Sequence, residues 1–404
     1  MTYAEALAWL YGTQRFGIKL GLDNVRRLLR ELDVPAPDQR IIHVAGTNGK
    51  GSVCAMIDSI GRAAGYRSGL FTSPHLVTYR ERIRVNGEMI GQQEVADGLS
   101  ALRELIRDWD PHPTFFEITT ALALDHFKKS RCELIVLETG LGGRLDATNA
   151  LTPVVSVITP IGYDHEKWLG NTLEAIAGEK AGIIKPRVPV VSARQDPVAE
   201  KVIRARAAES DAPLEFVAGD GRRWNVALPG KHQNENAALA VAVLASGNVP
   251  VTDDAVIRGL ASVEWPARFQ RWDERIVIDG AHNPAGAEVL AETWREQFPG
   301  ERSTIVLAVL REKNIDGICR ALAPIAARFI LPAIRTERAL PPNELAPHLS
   351  TLGLPCSVAT SFADALESAR AAAEPILITG SLHFAGEALA TLQGNPDSLE
   401  DCAQ

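Results

Sequence analysis

The chain has 404 residues, 46% hydrophobic and 23% charged, enough to bury a core unaided and outside the disordered, collagen-like and disulfide-scaffold classes. Lys and Arg number 42 against 50 Asp and Glu, a formal net charge of −8, which argues against sequence-independent nucleic-acid binding because that relies on a basic face. Five scattered cysteines (Cys54, Cys132, Cys319, Cys356 and Cys402) form no C-x-x-C pair, the pattern of free thiols in a reducing compartment.

At the amino end Glu5 stands where a signal peptide would be basic, and no apolar run reaches the roughly 18 residues of a membrane span. A cytoplasmic protein without membrane contact is expected. Leu7, Leu10 and Tyr11 predict a helix over 3–12, and Val25, Leu28, Leu29 and Leu32 a second over 23–32. Short apolar runs follow at 41–45, 133–138, 154–159 and 188–193. They do not alternate and helical stretches separate them, which predicts parallel strands covered on both faces in a doubly wound α/β sheet. An Ala-rich buried helix is expected over 234–245. Pro266 and clustered charge at 264–274 break the rhythm, and strands restart at 275–280, 303–310, 328–334 and 374–380. These breaks place a domain boundary near residue 273, giving units 1–273 and 274–404. The last ten residues read as a polar tail.

Four segments carry chemistry. In IIHVAGTNGKGS (41–52) a strand runs into a Gly-rich turn with Lys50 and then a helix. Such a turn aims backbone N–H groups at an anion, and Ser52 can offer a hydroxyl to Mg²⁺. The standard P-loop spacing is not met, because Val44 stands at the first Gly and Gly51 separates Lys50 from Ser52. In LIVLETGLGGRLDATN (134–149), Glu138 ends a strand where catalytic carboxylates of open sheets lie, and Arg144 and Asp146 follow as polar contacts for a ligand. Read alone, Glu138 is equally a solvated strand-end acid. In the third segment Asp164 and His165 follow a strand, and His165 is a metal-binding or a structural imidazole. Lys180, fifteen residues on, reads by itself as a solvated helix lysine. In IVIDGAHNPAGA (276–287), Asp279, His282 and Asn283 sit in a strand-to-helix turn, with Pro284 at the first helical position. They are either a site facing a ligand held by the other unit or a capped helix start. Arg268 suits a nucleotide contact, and Asn236 either reads a base edge or caps its own helix.

Together these segments resemble the folylpolyglutamate synthase and dihydrofolate synthase family of Mur-type ligases, in family order from residue 3 to about 390. The motifs are YAEALAWLYG, GIKLGLDNVRRLL, HVAGTNGKGS, LFTSPHLVTYRERIRVNG, TFFEITTALAL, LETGLGGRLDATN, GYDHEKWLGNTLEAIAGEKAGIIK, LPGKHQNENAALA, WPARFQ, DGAHNPAGA and ITGSLHF. The resemblance implies a P-loop ATPase domain of Mur-ligase type followed by a smaller Rossmann-like domain, with the nucleotide between them. It implies that Gly46, Thr47, Asn48, Gly49, Lys50, Gly51 and Ser52 form the phosphate loop, with Lys50 on the phosphates. Ser73, Glu138 and His165 match Mg²⁺ ligands, and Lys180 a lysine carbamylated on its amine, so that Lys50, His165 and Lys180 form the implied catalytic set. Asn236, Arg268 and Asp279 match nucleotide contacts, with His282 beside them. Arg82, Thr114, Phe115, Phe116, Glu117, Leu145, Asp146 and Ala147 fall to the pterin-bearing substrate. Two departures stand out: Pro266-Ala267-Arg268 where many relatives read PGR, and Gly178 ahead of the EKAGI stretch, which loosens that helix by about 1 kcal/mol.

The implied reaction is ATP-dependent addition of L-glutamate to dihydropteroate, to reduced folate, or to both, with ATP, two Mg²⁺ and a candidate K⁺ as cofactors. Its partners are small molecules, and a monomer is expected. The alternatives are a Mur-type ligase of cell-wall precursors, which would carry a nucleotide-sugar-binding front domain, and a non-catalytic nucleotide-binding module, which would not need Ser73, Glu138, His165 and Lys180 together.

Overall fold

The computed structural model describes residues 1–16, 21–217 and 223–401. Residues 17–20 of the GIKLGLDNVRRLL motif, and 402–404 of the tail with Cys402, lie outside that set. Helix α1 (Tyr3–Gly12) starts at a capping box of Thr2 and Glu5 and buries Ala6, Leu7 and Leu10. Helix α2 (Asp23–Glu31) buries Val25, Leu28 and Leu29, the stripe its spacing predicts. The chain continues through β1 (Arg40–Ala45), α3 (Lys50–Ala63), β2 (Ser68–Phe71), β3 (Ile83–Val85), β4 (Glu88–Met89), α4 (Gln92–Leu105) and α5 (Phe115–Lys129). Then come β5 (Leu134–Glu138), β6 (Val155–Ile158), α6 (Glu166–Leu169), α7 (Leu173–Ala181), β7 (Val190–Ala193), α8 (Pro197–Glu209), β8 (Leu214–Val217), α9 (Lys231–Ser246) and α10 (Asp253–Ala261).

Among the described residues these strands form one eight-stranded sheet in the order β4-β3-β2-β5-β1-β6-β7-β8. From β2 to β8 every pairing is parallel, whereas β3 and β4 add as an antiparallel hairpin at one edge. The strands that read as unbroken apolar runs are the central ones, buried on both faces; the short edge hairpin, with Arg84 and Glu88 in it, carries too little apolar sequence to register as a strand. Helix α3 is buried along most of its length, from Gly51 to Gly61, because α9 and α10 pack over it on the sheet. Truncating a side chain such as Ile57 there would cost about 2–5 kcal/mol.

A second sheet takes the rest of the chain: β9 (Gln270–Arg271), β10 (Ile276–Ile278), α11 (Pro284–Gln297), β11 (Ser303–Leu307), α12 (Ile315–Leu322), β12 (Ala326–Pro332), α13 (Pro342–Ser350), β13 (Cys356–Ala359), α14 (Phe362–Arg370), β14 (Ile376–Thr379) and α15 (Leu382–Leu392). Its order is β13-β12-β11-β14-β10-β9, parallel except for β9. The link into it is tight. Ala267 holds φ 56°, the left-handed region that the glycine of a PGR sequence occupies freely and that costs other residues about 1–2 kcal/mol. The turn therefore forms without that glycine, held by Ala267 N–H on Gln270 Oε1 and by Gly280 N–H on Ala267 O.

The two sheets meet through apolar and polar contacts. Leu76, from the loop after β2, is part of the second sheet's core beside Phe384 and Ala385. Gly386 lies so close that a Cβ there would run into the Leu76 carbonyl oxygen. The carboxyl end is not a free polar tail as far as residue 401. Glu400 accepts from Tyr79 N–H at 2.6 Å and Tyr3 hydroxyl at 3.0 Å, and its own N–H bonds Val77 O at 2.8 Å. A low-hydropathy segment reads as solvated because its hydrogen-bond partners lie more than 300 residues away.

Candidate active site

Parallel strands β1, β5 and β6 end side by side, and the loops leaving them line one cavity of about 380 Å³ between the two sheets. The first loop is Gly46–Gly49. Gly46 has φ 150° with a Cβ position that would collide with Thr159 Oγ1, so only glycine makes this turn. The first intrahelical bond of α3 is Val53 N–H to Gly49 O, so the N–H groups of Lys50, Gly51 and Ser52 precede the helical ladder at the positive end of its dipole. All three residues line the cavity. Thr47 and Asn48 instead donate their N–H groups to Pro160 O at 3.0 and 3.2 Å, which fixes the loop's shape. Lys50 Nζ lies 3.3 Å from Thr47 O and 3.9 Å from Glu138 Oε1.

Glu138 ends β5 and is only 4% exposed. Burial raises its pKa, Lys50 opposes that rise, and Ser73 N–H bonds its Oε2 at 3.2 Å. The Ser73 hydroxyl is buried in the cavity wall without a hydrogen-bond partner. His165 holds a left-handed backbone (φ 53°), and burial pulls its pKa down to about 4, leaving a neutral imidazole. Lys180, on α7, is the group whose environment departs furthest from its sequence reading. It is 5% exposed, and its Nζ donates to Gly46 O at 2.7 Å. Burial first, and repulsion from Lys50 second, bring its pKa down to about 7. It is a buried amine at the Gly46–Gly49 turn, not a solvated helix lysine.

The cavity is closed by Arg268, on the link between the two sheets, and by His282, Lys313 and Ser381 from the second sheet's part of the chain. Asn236 lines it as well, from inside α9 and five residues past the helix start, so it does not cap its own helix. Its Nδ2 bonds Gln233 Oε1 at 2.9 Å. Asp279 turns away: its carboxylate accepts from Phe269 N–H at 2.7 Å and Ala281 N–H at 2.8 Å and braces the link that carries Arg268. Asn283 is a helix cap that also reaches the Gly46–Gly49 loop. It caps α11 through Gly286 N–H at 2.8 Å and exchanges side-chain hydrogen bonds with Asn48 at 3.0 and 3.3 Å.

The residues matched to the pterin segments do not line this cavity themselves, but Phe116 packs against Gly140 of its wall and Asp146 bonds the Gly140 and Leu141 N–H groups. Thr114 and Glu117 form the capping box of α5, Phe115 stacks on Tyr11 with centroids 5.6 Å apart, and the buried Arg82 guanidinium sits 5.4 Å over the Phe115 ring. Arg144 is an exposed residue paired with Glu179 at 2.8 Å. Sequence reasoning missed Lys313, Ser381 and His232. Lys313 follows the strand end of β11, and that position was the available signal; nothing in LREKNI marks it further.

A Mur ligase middle domain matches residues 44–216, and a Mur ligase glutamate ligase domain residues 267–382. The dihydrofolate synthase/folylpolyglutamate synthase of Bacillus subtilis is 37% identical over 421 residues, covering 95% of this chain and 97% of that protein. The chain belongs to the folylpolyglutamate synthase/dihydrofolate synthase family. Solved members share its fold. The Escherichia coli enzyme in complex with DHPP and ADP superposes with a TM-score of 0.86 at 30% identity, over 98% of this chain and 99% of that one. The bifunctional synthase of Yersinia pestis complexed with AMPPNP and Mn gives 0.87 at 31% identity, over 97% and 98%. Synthase relatives spanning both Mur-type domains favour the folate reading over a cell-wall ligase. In this synthase family member the nucleotide-sized cavity lies between the two matched domains, and no described helix is long and apolar enough to cross a membrane.

Proposed function

We propose that the protein is an ATP-dependent ligase that joins L-glutamate to the carboxylate of dihydropteroate, to the γ-carboxylate of a reduced folate, or to both. The observation that carries this reading is the convergence of Lys50, Ser73, Glu138, His165 and Lys180 on one cavity that the second unit closes. ATP is the phosphoryl donor. An oxygen of the acceptor carboxylate forms a bond to the γ-phosphorus as the bond to the bridging oxygen breaks, giving an acyl phosphate and ADP. The glutamate amine then attacks the acyl carbon; the tetrahedral species expels phosphate, and the amide nitrogen gives up its proton. Lys50 and the first N–H groups of α3 face charge that grows on the transferred group.

The divalent site suits Mg²⁺. Among the described residues no cluster of three His, Cys, Asp or Glu exists, but Mg²⁺ typically takes one or two carboxylates and completes its shell with waters and substrate phosphates. Glu138, the unpartnered Ser73 hydroxyl and the neutral His165 are that kind of set. Bound there, the metal would neutralise phosphate charge. Lys180 supports carbamylation, since CO₂ adds only to an unprotonated amine and this amine has a pKa of about 7. Arg82, the 114–117 turn and the 145–147 segment receive the acceptor. A second Mg²⁺, K⁺, a monomeric state, a cytoplasmic setting and a division of the chain near residue 273 belong to the same reading.

Phosphate release from Mg-ATP with L-glutamate tests it, with 7,8-dihydropteroate, tetrahydrofolate or no acceptor supplied. Release with either acceptor is expected. Acceptor-independent release, or none with bicarbonate present, overturns the reading.

A further inference from the structure

His43 is not part of the cavity. It sits on β1, three residues before the phosphate loop, and is 1% exposed. Its Nε2 lies 2.7 Å from Thr148 Oγ1, and Thr148 Oγ1 lies 2.5 Å from Asp146 Oδ1. Asp146 also accepts from Thr148 N–H at 3.0 Å, Gly140 N–H at 2.8 Å and Leu141 N–H at 2.9 Å. Four donors on two oxygens fill the acceptor capacity of an ionised carboxylate.

The direction of each bond follows. Thr148 has one hydroxyl proton and gives it to the carboxylate, so its oxygen must take a proton from His43 Nε2. That tautomer leaves Nδ1 as a bare acceptor, which agrees with Nδ1 being buried without a partner. An unpartnered lone pair there is tolerated better than an unpartnered N–H. Burial first, and Lys185 second, hold the imidazole neutral with a pKa of about 3, so the ring stays a single-proton donor through the physiological range.

The chain of donors therefore runs from β1 through Thr148 to Asp146, whose carboxylate also takes the Gly140 and Leu141 N–H groups of the turn after Glu138. It closes the 140–148 loop on itself, and Leu145 and Ala147 flank the carboxylate at its centre. We propose that His43 and Thr148 are positioning residues for the acceptor substrate, holding Asp146 as the brace that sets the 145–147 segment. The inference rests on the assignment of that segment to the acceptor.

The test compares Thr148→Val, which keeps shape but removes the hydroxyl, with Thr148→Ser, which restores it, and His43→Leu with His43→Gln. Phe116→Ala serves as the reference for the acceptor assignment. Acceptor KM, ATP KM and kcat are measured beside thermal unfolding. Thr148→Val and His43→Leu are expected to raise the acceptor KM about 10- to 100-fold, the scale of a misplacement of about 1 Å, with ATP KM unchanged and Thr148→Ser close to the parent. An unchanged acceptor KM in Thr148→Val, with Phe116→Ala raised, overturns this inference alone. If Phe116→Ala also leaves it unchanged, the acceptor assignment itself has failed. Equal rises in both KM values that Thr148→Ser does not reverse would mean general loosening and would also overturn it. Should Thr148→Val not fold, His43→Leu carries the same comparison.

Discussion

Lys313, from the second unit, places its ammonium 2.5 Å from Asp164 Oδ1 in the first, and both side chains are less than a tenth exposed. The carboxylate also meets His282 Nε2 at 3.3 Å and Asn283 Nδ2 at 3.3 Å, and His165 N–H at 2.8 Å. Burial acts upward on Asp164, yet His282 and Lys313 overcome it and hold the carboxyl well below the usual range. One carboxylate thus gathers three side chains from the second sheet's part of the chain at the wall of the cavity between the sheets. Breaking a buried pair leaves a charge uncompensated, worth about 3–5 kcal/mol when no other partner remains.

Because His282 and Asn283 persist, Lys313→Gln is expected to lose less, about 2 kcal/mol. The larger effect falls on turnover, since the second unit is no longer fastened over the cavity. Thermal unfolding with kcat for Mg-ATP-dependent phosphate release checks this; parent-like kcat would show that the pair only stabilises.

Lys50→Ala is expected to reduce turnover by at least about 10²-fold, the scale of one lost charge-stabilising donor, with unfolding close to the parent. The ammonium is part-exposed in the cavity and its hydrogen bond is to Thr47 O of its own loop; its loss also removes the charge partner 3.9 Å from buried Glu138, which answers by taking up a proton more readily. Steady-state kinetics and circular dichroism of the purified variant decide the matter, and normal kinetics would remove Lys50 from the phosphate site.

Lys180→Ala is expected to lose activity that small carboxylates, added in solution, partly restore. Full activity without rescue would make Lys180 a packing residue. The same amine has a stability signature. Its folded pKa of about 7 lies below the ordinary 10.5, so between those values the unfolded chain binds the proton that the folded chain has released. Stability from this group therefore rises as pH climbs from 7 toward 10.5 and is lost as pH falls through 7. Denaturant unfolding of parent and Lys180→Met should differ in slope between pH 7 and 10.5, the parent losing stability relative to the variant as pH falls, and the two should run parallel below 7.

Gly386→Ala tests the apolar half of the contact between the sheets. The added methyl runs into the carbonyl of Leu76, a backbone atom that cannot swing aside, so α15 must move off the loop that leads from Ser73 to Arg82. A loss of about 1–3 kcal/mol is expected, with a raised KM for Mg-ATP. Unchanged unfolding would show that the two units part there without cost.

Much of this was written in local sequence. The apolar runs that became β1, β5 and β6, the glycines of the Gly46–Gly49 turn and Pro284 at the head of α11 each act through neighbours a few residues away. Period, capping and turn chemistry report such contacts directly. Glu138 and His165 were legible for the same reason: each lies at a strand end or just beyond it, and strand ends are where an open sheet collects its ligands. The edge hairpin β3–β4 was not, because its strands are too short to show a period.

What only the tertiary structure decided is the protonation and partnership of buried polar groups. Lys180, read as a solvated lysine, becomes a near-neutral amine because folding removes its water and brings Lys50 near. Asp146 and Asp279, read as ligand contacts, take hydrogen bonds from backbone N–H groups of their own and neighbouring loops. Glu400 and Lys313 gained their roles from residues at the other end of the chain or in the other sheet. The reason is common to all of them. Hydrophobic patterning is a local property of a chain, whereas desolvation and pairing depend on which distant groups share a site, and a sequence carries no sign of those until the chain has folded.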